Sequence, residues 1–405
     1  LLTAGIGFAL LTVVLVFFDP AYFYFQNLYF YPFILQALFV QLLFASYAFL
    51  ARGRGRALFA VAVLLAAITN TRSLFPMLFS LLYFAGLVGL RLLLDARASH
   101  WRAITGAAFL LVLLLVAWPL KNWTVFDQFT YSSWRGYNLS RGTPVIHTDL
   151  IEYMKHGRVP PSVEQALGQV VEQHGIERSE AIASPTKGDS SARNWNHYVF
   201  LTVNAALADA AMRWRWKHSD LWASKTATHY WAWTRSSYVH PYTGEVRGPL
   251  SASRERQDPI YVRLSSLHRR IFFADLRAFV SRSWPQLVPD SLHGTNYPMT
   301  FFGVVLLPFV LLAALPVAWL MRRSRRERAA FVVLLWFCTV WVLAVPCLTD
   351  GTEGNRMRFA ISPALTLLVM LLLNEATTGI RRQFQPRSRA GSAPEAPRED
   401  DLCGK

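Results

Sequence analysis

The feature that most constrains this chain is a series of long stretches without a single charge. Residues 1–18, 20–51, 73–90, 103–120 and 329–349 contain no Asp, Glu, Lys or Arg. A bilayer core takes roughly 20 apolar residues per helix, and one soluble core has no use for so many unbroken apolar segments. The composition agrees, with 53% hydrophobic and 16% charged residues. So apolar a chain buries surface or enters lipid, which excludes disorder for most of it. The net charge of +16 sits largely in short Arg clusters beside apolar runs. That placement is membrane topology and argues against a nucleic-acid partner. The three cysteines, Cys338, Cys347 and Cys403, are too few for a disulfide framework.

About eight spans follow, in an all-α polytopic membrane fold. The first is 1–18, ended by Asp19-Pro20 and aromatic residues as far as Tyr31. Leu1 opens inside an apolar run with no charged leader or cleavage site, which reads as a chain whose natural start lies upstream. The second span is about 33–50. The third, about 57–68, is short, and Thr69-Asn70-Thr71-Arg72 breaks it. The fourth runs over 74–90 and the fifth over 103–118, followed by Pro119-Leu120-Lys121-Asn122. Spans six to eight are about 300–320, 329–346 and 359–373. The chain thus divides into a five-span unit (1–122), a polar region (123–298), a three-span unit (299–375) and a disordered tail (376–405).

Sidedness follows from the Arg clusters. With Arg52, Arg54 and Arg56 on the cytoplasmic side, alternation puts segments 91–102, 321–328 and 375–405 there too, and all are Arg-rich. The short loops of the other set carry only Arg72, Arg356 and Arg358. The positive-inside rule holds at every short loop, so 123–298 is expected outside the cytoplasm, and a bacterial cytoplasmic membrane is the expected location. Within that region, 162–180 has helical spacing. A helix from His197 carries Val199, Val203, Leu207, Ala210 and Trp214 on one stripe, with a break at His218-Ser219-Asp220. The next helix holds Trp222, Tyr230, Trp231 and Trp233 with Lys225. Trp-rich basic helices suit the headgroup level, so these either lie along the outer membrane surface or pack inside an outer domain.

Chemistry is sought among polar groups at membrane depth. No CxxC pair, HExxH or P-loop occurs, so no cofactor is identified and a divalent metal is left open. His218, His229 and His240 recur every eleven residues. That spacing is about three turns of about 5.4 Å each, too far apart to share one ion. Asn122-Trp123-Thr124 and Asn138-Leu139-Ser140 are glycosylation sequons of a kind common by chance. Against the positive-inside trend, Arg72, Lys121, Arg356 and Arg358 fall on the outer side. A guanidinium fork matches phosphate oxygens, while snorkelling or pairing with Glu353 or Asp350 is the plainer use. The chain has no nucleotide-binding motif. Chemistry outside the membrane then calls for an activated group carried by the membrane, and a polyprenyl-phosphate sugar fits.

Four segments resemble the dolichyl-phosphate-mannose–protein mannosyltransferase family and its bacterial relatives, multi-span glycosyltransferases of GT-C architecture. They are Asn27-Leu28-Tyr29-Phe30-Tyr31-Pro32, Ala66 to Arg72, Pro119-Leu120-Lys121-Asn122 with Gly136-Tyr137-Asn138-Leu139 and Gly142, and Glu353 to Arg358 with Pro363. The order agrees over about 20–140 and 300–375. Relatives often place an acid where this chain has Tyr31, and Arg where it has Lys121. The resemblance implies inverting transfer on the outer face from a lipid-phosphate sugar to a protein, lipid or glycan acceptor. It further implies Arg72, Lys121, Arg356 and Arg358 on the donor phosphate, supported by Asn122, Gly136, Asn138 and Glu353. The family's acidic residue in the first outer loop falls upstream of the visible spans. The catalytic base is therefore unknown, and Asp19 is the one candidate in the first visible loop. A polymerase or ligase of lipid-linked glycans, a lipid-linked-substrate transporter and a noncatalytic scaffold are the rival readings. The topology predicts that a cysteine placed at Ser190 reacts with an impermeant thiol reagent from outside intact cells. One at Ser324 reacts only after the membrane is opened, and the reverse pattern overturns the topology.

Overall fold

The computed structural model describes residues 30–71, 75–95, 100–126, 129–131, 135–140, 143, 208, 211–234, 263, 266–267, 270–271, 274, 276, 282, 299–322, 325–349 and 354–384. These residues are helical with no strand. One isolated bridge has the Leu276 N–H donating to Met299 O at 2.8 Å. The helices are α1 (Phe30–Arg52), α2 (Gly55–Thr71), α3 (Met77–Leu94), α4 (Trp101–Phe126), α5 (Arg135–Ser140), α6 (Ser219–Thr234), α7 (Leu307–Met321), α8 (Arg326–Thr349) and α9 (Gly354–Phe384). A π-turn over Phe302–Leu306 leads into α7. Among the described residues, six helices are long and apolar enough to cross a membrane: α1, α3, α4, the π-turn with α7, α8 and α9. The third expected span is α2, an apolar helix of 17 residues. The first expected span, 1–18, lies outside the described residues.

Two helices run further than the sequence suggests. α4 continues through Pro119 to Phe126, and α9 passes Pro363 and extends to Phe384, into the expected tail. α4 runs on past its proline, and α9 runs through the proline that its expected span already held, because of local hydrogen bonding. Proline has no N–H, so it leaves the carbonyl four residues earlier without its helical partner. In hydrocarbon that group must find a donor within the protein. Pro119 frees Leu115 O, which accepts the Tyr131 hydroxyl. Pro363 frees Phe359 O, which accepts Gln36 Nε2–H at 3.3 Å and the Ser362 hydroxyl at 2.9 Å. Pro346 in α8 frees Val342 O, which accepts the indole N–H of Trp233 at 2.9 Å. At all three prolines a side chain from elsewhere in the fold replaces the missing donor.

The bundle is held by close packing and by buried polar pairs, since lipid tails give apolar side chains no drive to associate. α1 packs on α2, α3, α8 and α9, and α4 packs on α2. Phe39 of α1 and Phe75, just before α3, meet with ring centroids 4.9 Å apart. Phe79 of α3 stacks on Phe337 of α8 at 5.8 Å. The pairs Ser46–Tyr83 at 2.8 Å, Thr69–Ser80 at 2.7 Å and Gln36–Ser362 at 2.9 Å fix helix registers.

These contacts also sort the helix ends. Gly53, at φ +62°, closes α1 with its N–H on Phe49 O, and Arg91 donates to Leu50 O of the same end. A Cβ at Gly53 would come within 2.6 Å of His100, so α4 starts at this end as well. The Gln36–Phe359 bond makes α1 and α9 parallel. Glu375 therefore lies toward the Arg52 end, where Arg325 and Arg328 pair with it. The Arg-rich turns thus gather at one end of the bundle. The opposite end holds the close of α2, the close of α4 and the start of α9.

The proline rule predicts a coupling. Trp233→Phe strands Val342 O and lowers stability by about 1–3 kcal/mol. In a Pro346→Ala background the backbone N–H returns and the same substitution costs at least about 1 kcal/mol less. Thermal unfolding of the four purified variants in detergent measures this, and an additive cycle refutes it.

Candidate functional site

The end opposite the Arg-rich turns is covered by a segment from the polar region. Residues 211–217 are helical, the chain turns at His218, and α6 follows. The sequence offered two places for the Trp-rich helix, the membrane surface or a separate outer domain. In the structure α6 packs directly on α8, α9 and the π-turn. The last carbonyls of a helix have no intrahelical donors, and at the close of α8 side chains from this segment supply them. His229 Nδ1 lies 2.9 Å from Cys347 O, which fixes the proton on Nδ1 because a carbonyl only accepts. Trp222 Nε1–H donates to Leu348 O at 3.3 Å, and Arg215 donates to Thr349 O at 2.9 Å. With Trp233 on Val342 O, four donors run along the last two turns of α8.

The far end of α6 is fastened in the same way. Arg358, 6% exposed in the first turns of α9, donates Nη1–H to Trp233 O at 3.0 Å. Its guanidinium lies 5.4 Å from the Trp233 ring and 4.7 Å from the Phe302 ring. A cation at a helix C-terminus is favoured by the dipole, and aromatic faces add to this when water is excluded. The Thr300 hydroxyl donates to Thr234 O at 3.2 Å while its oxygen accepts the Gly303 N–H at 3.1 Å, which caps the π-turn. Tyr230 donates to Gly303 O at 2.6 Å. Gly303 is required there, because an added Cβ would sit 2.8 Å from the Thr234 side chain.

The residues singled out by sequence fall as follows. Arg358 is buried beneath α6. Lys121 is exposed on α4, its ammonium 4.4 Å from the Trp118 ring. Asn122 is buried on the other side of α4 and donates to Thr130 O at 2.7 Å, so its sequon amide is already used. Gly136 is buried and Asn138 half-buried on α5. Arg356 stands in the first turn of α9 by its backbone; its side chain, like Asp19, Arg72 and Glu353, lies outside the described residues. Lys121, the α2 terminus that Arg72 follows, Arg356 and Arg358 share one end of the bundle. Arg358 and Lys121 nevertheless occupy different surroundings, one in an aromatic clasp and the other at the exposed rim. His218 packs on Trp214 while His229 binds Cys347 O, so they do not converge. Among the described residues no group of three or more His, Cys, Asp or Glu is placed to hold a metal.

Arg215 was not found by sequence. It is 4% exposed and donates Nη2–H to Leu139 O at 2.6 Å as well as to Thr349 O. Burial lowers its pKa and that of Lys225, whose ammonium stands 5.3 Å from the Trp214 ring. The expected apolar stripe ended on Trp214, but the buried positions are Ala211 and Arg215, one residue further on. Compared with protein-family profiles, characterised proteins and solved structures, the chain gives no match.

The clasp on α6 predicts that Arg358→Met raises amide hydrogen exchange over 228–234 by about 10- to 100-fold, the loss of a charged, buried donor. Exchange within α1 and α3 should not change. Exchange in 228–234 equal to that of the unsubstituted chain contradicts this role.

Proposed function

We propose that this chain is a multi-pass membrane glycosyltransferase. It would transfer a hexose or pentose from a polyprenyl-phosphate donor to a protein, lipid or glycan acceptor, on the membrane face opposite the Arg-rich turns. The observation that supports the reading is that the chain positions bearing the outer-side cations meet at the bundle end opposite the Arg-rich turns. Lys121, the α2 end before Arg72, and Arg356 with Arg358 come from three distant parts of the chain. They are also the positions at which the sequence resembles the mannosyltransferase family. A lipid-borne phosphate lies at that level, with its polyprenyl tail among apolar helices such as α4 and α7, whose Phe109, Leu113, Phe309 and Leu312 are exposed.

In such a transfer the acceptor oxygen attacks the anomeric carbon and the carbon–oxygen bond to phosphate breaks. The bonding pair leaves on the polyprenyl phosphate, and the acceptor proton passes to a base. The chain's cations would stabilise the charge gathering on the leaving phosphate, a preorganised electrostatic contribution. Arg356 is the better donor-phosphate candidate of the α9 pair. Arg358 already serves α6, whereas Arg356 lies two residues earlier, about 200° around the helix axis.

The test uses the full-length protein in lipid nanodiscs with a radiolabelled polyprenyl-phosphate hexose. Arg356→Ala should lower transfer by about 100-fold or more, with α6 exchange unchanged, and Arg356→Lys should recover part of the rate. Undiminished transfer and donor binding in Arg356→Ala removes the proposed role. A chain that transfers nothing and binds no polyprenyl phosphate removes the function.

A further inference from the structure

The donor reading leaves one buried charge without a task. Arg215 comes from the polar region, far in sequence from every family-like segment, yet its guanidinium reaches one of them and the end of the helix that precedes another. Leu139 closes the Gly136-Tyr137-Asn138-Leu139 motif on α5. Thr349 is the last residue of α8, four residues before Glu353 in sequence and close to the start of α9, which carries Arg356. One terminal nitrogen, Nη2, donates to both carbonyls, at 2.6 and 2.9 Å. Helix α5 itself packs on α8. The Trp222 ring stands 5.7 Å from the guanidinium, and the Nε of Arg215 is buried without a hydrogen-bond partner.

We propose that Arg215 is the positioning residue of the donor-phosphate end. It ties the α5 motif to the end of α8 and so sets the first turn of α9, with Arg356, at its working position; this rests on the donor reading above. Three observations carry it. First, both acceptors are helix-terminal carbonyls, which have no intrahelical donor and carry the negative end of the dipole. A cation there fixes two helix ends at once. Second, its bonding partners among the described residues are carbonyls, and its one ring contact is Trp222. The guanidinium charge is thus set against main-chain dipoles and an indole face. Third, the same segment supplies Trp222, His229 and Trp233 to α8, so Arg215 is the outermost of a continuous row of donors. It differs from the others in reaching a second helix, α5. A guanidinium suits this bridge because its planar fork serves several acceptors in fixed geometry, whereas a lysine ammonium is a point charge on a flexible stem.

The experiment pairs a structural readout with a kinetic one, on the full chain in nanodiscs. Hydrogen exchange is followed over 135–140 and 346–358 in Arg215→Gln and Arg215→Lys. Donor KM and kcat are measured with the polyprenyl-phosphate hexose. In Arg215→Gln, exchange should rise about tenfold in both segments together, and donor KM should rise about tenfold or more with kcat changed less. Arg215→Lys should recover KM in part. Unchanged exchange in either segment overturns the bridge. Raised exchange with an unchanged KM overturns the link to the donor. A chain that neither binds nor transfers the donor sinks the glycosyltransferase reading and the donor link with it, and the exchange result still decides the bridge. Arg215→Lys, which keeps the charge, serves if the Gln variant does not fold.

Discussion

A backbone carbonyl without a donor has nowhere to turn inside hydrocarbon, and much of this fold is arranged around that fact. Prolines at 119, 346 and 363 each create such a group within an apolar helix, and helix ends create more. The donors that answer them come from distant parts of the chain: Tyr131, Trp233, Gln36, Arg91, Arg215 and Arg358. The pairings are directional, so they also decide which helix lies against which and at what height. Apolar packing alone, as in the rings of Phe39, Phe75, Phe79 and Phe337, would tolerate sliding far more readily. The fourth interior proline, Pro316, frees the carbonyl of Leu312, a residue exposed on the surface of α7.

The two buried arginines of the α6 end play related parts. Arg358 reaches up from the bundle to the close of α6, and Arg215 reaches down from the polar region to the closes of α5 and α8. Each puts a cation on the negative end of a helix and leans on an indole face. The pattern of main-chain acceptors, Trp233 O for Arg358 and Leu139 O with Thr349 O for Arg215, ties the polar region to the bundle from both sides. It also means that α6 is more than a cover, because its own backbone carbonyl occupies the fork of Arg358.

The membrane character and most span limits were legible because absence of charge is a property of single residues. α1, α3 and α8 begin and end within a few positions of the expected limits. α4 was read too short because Pro119 looks like a stop, and a stop is overridden only by a donor that sequence does not locate; α9 was read too short at its ends, where polar residues on either side of 359–373 continue the helix. The docking of α6 was illegible for a related reason. Its Trp, Tyr and His residues are visible donors, but their acceptors are main-chain carbonyls, which carry no residue signature. Arg215 was hidden by a stripe drawn one position early, where Arg213-Trp214-Arg215-Trp216 offers basic and aromatic residues on every face. The outer-side placement of Lys121, Arg356 and Arg358 at one bundle end follows from span alternation. The different surroundings of Lys121 and Arg358 do not, because rotation about a helix axis is set by neighbours.

The widened turn at Phe302–Leu306 has a consequence for how the chain tolerates length changes. A π-turn holds one residue more than an α-turn of the same rise, and here that surplus bulge presents Gly303 to Thr234. Deleting a single residue in this segment would let the helix wind regularly. The helix on either side would keep its angular position, because the bulge alone takes up the surplus residue. Membrane insertion would be spared, since the apolar length barely changes, yet the Gly303 carbonyl that Tyr230 binds and the Gly303 face that admits Thr234 would be drawn away from α6. In this protein a one-residue deletion at that spot would act like a turned key, leaving the door in its frame and the latch out of line.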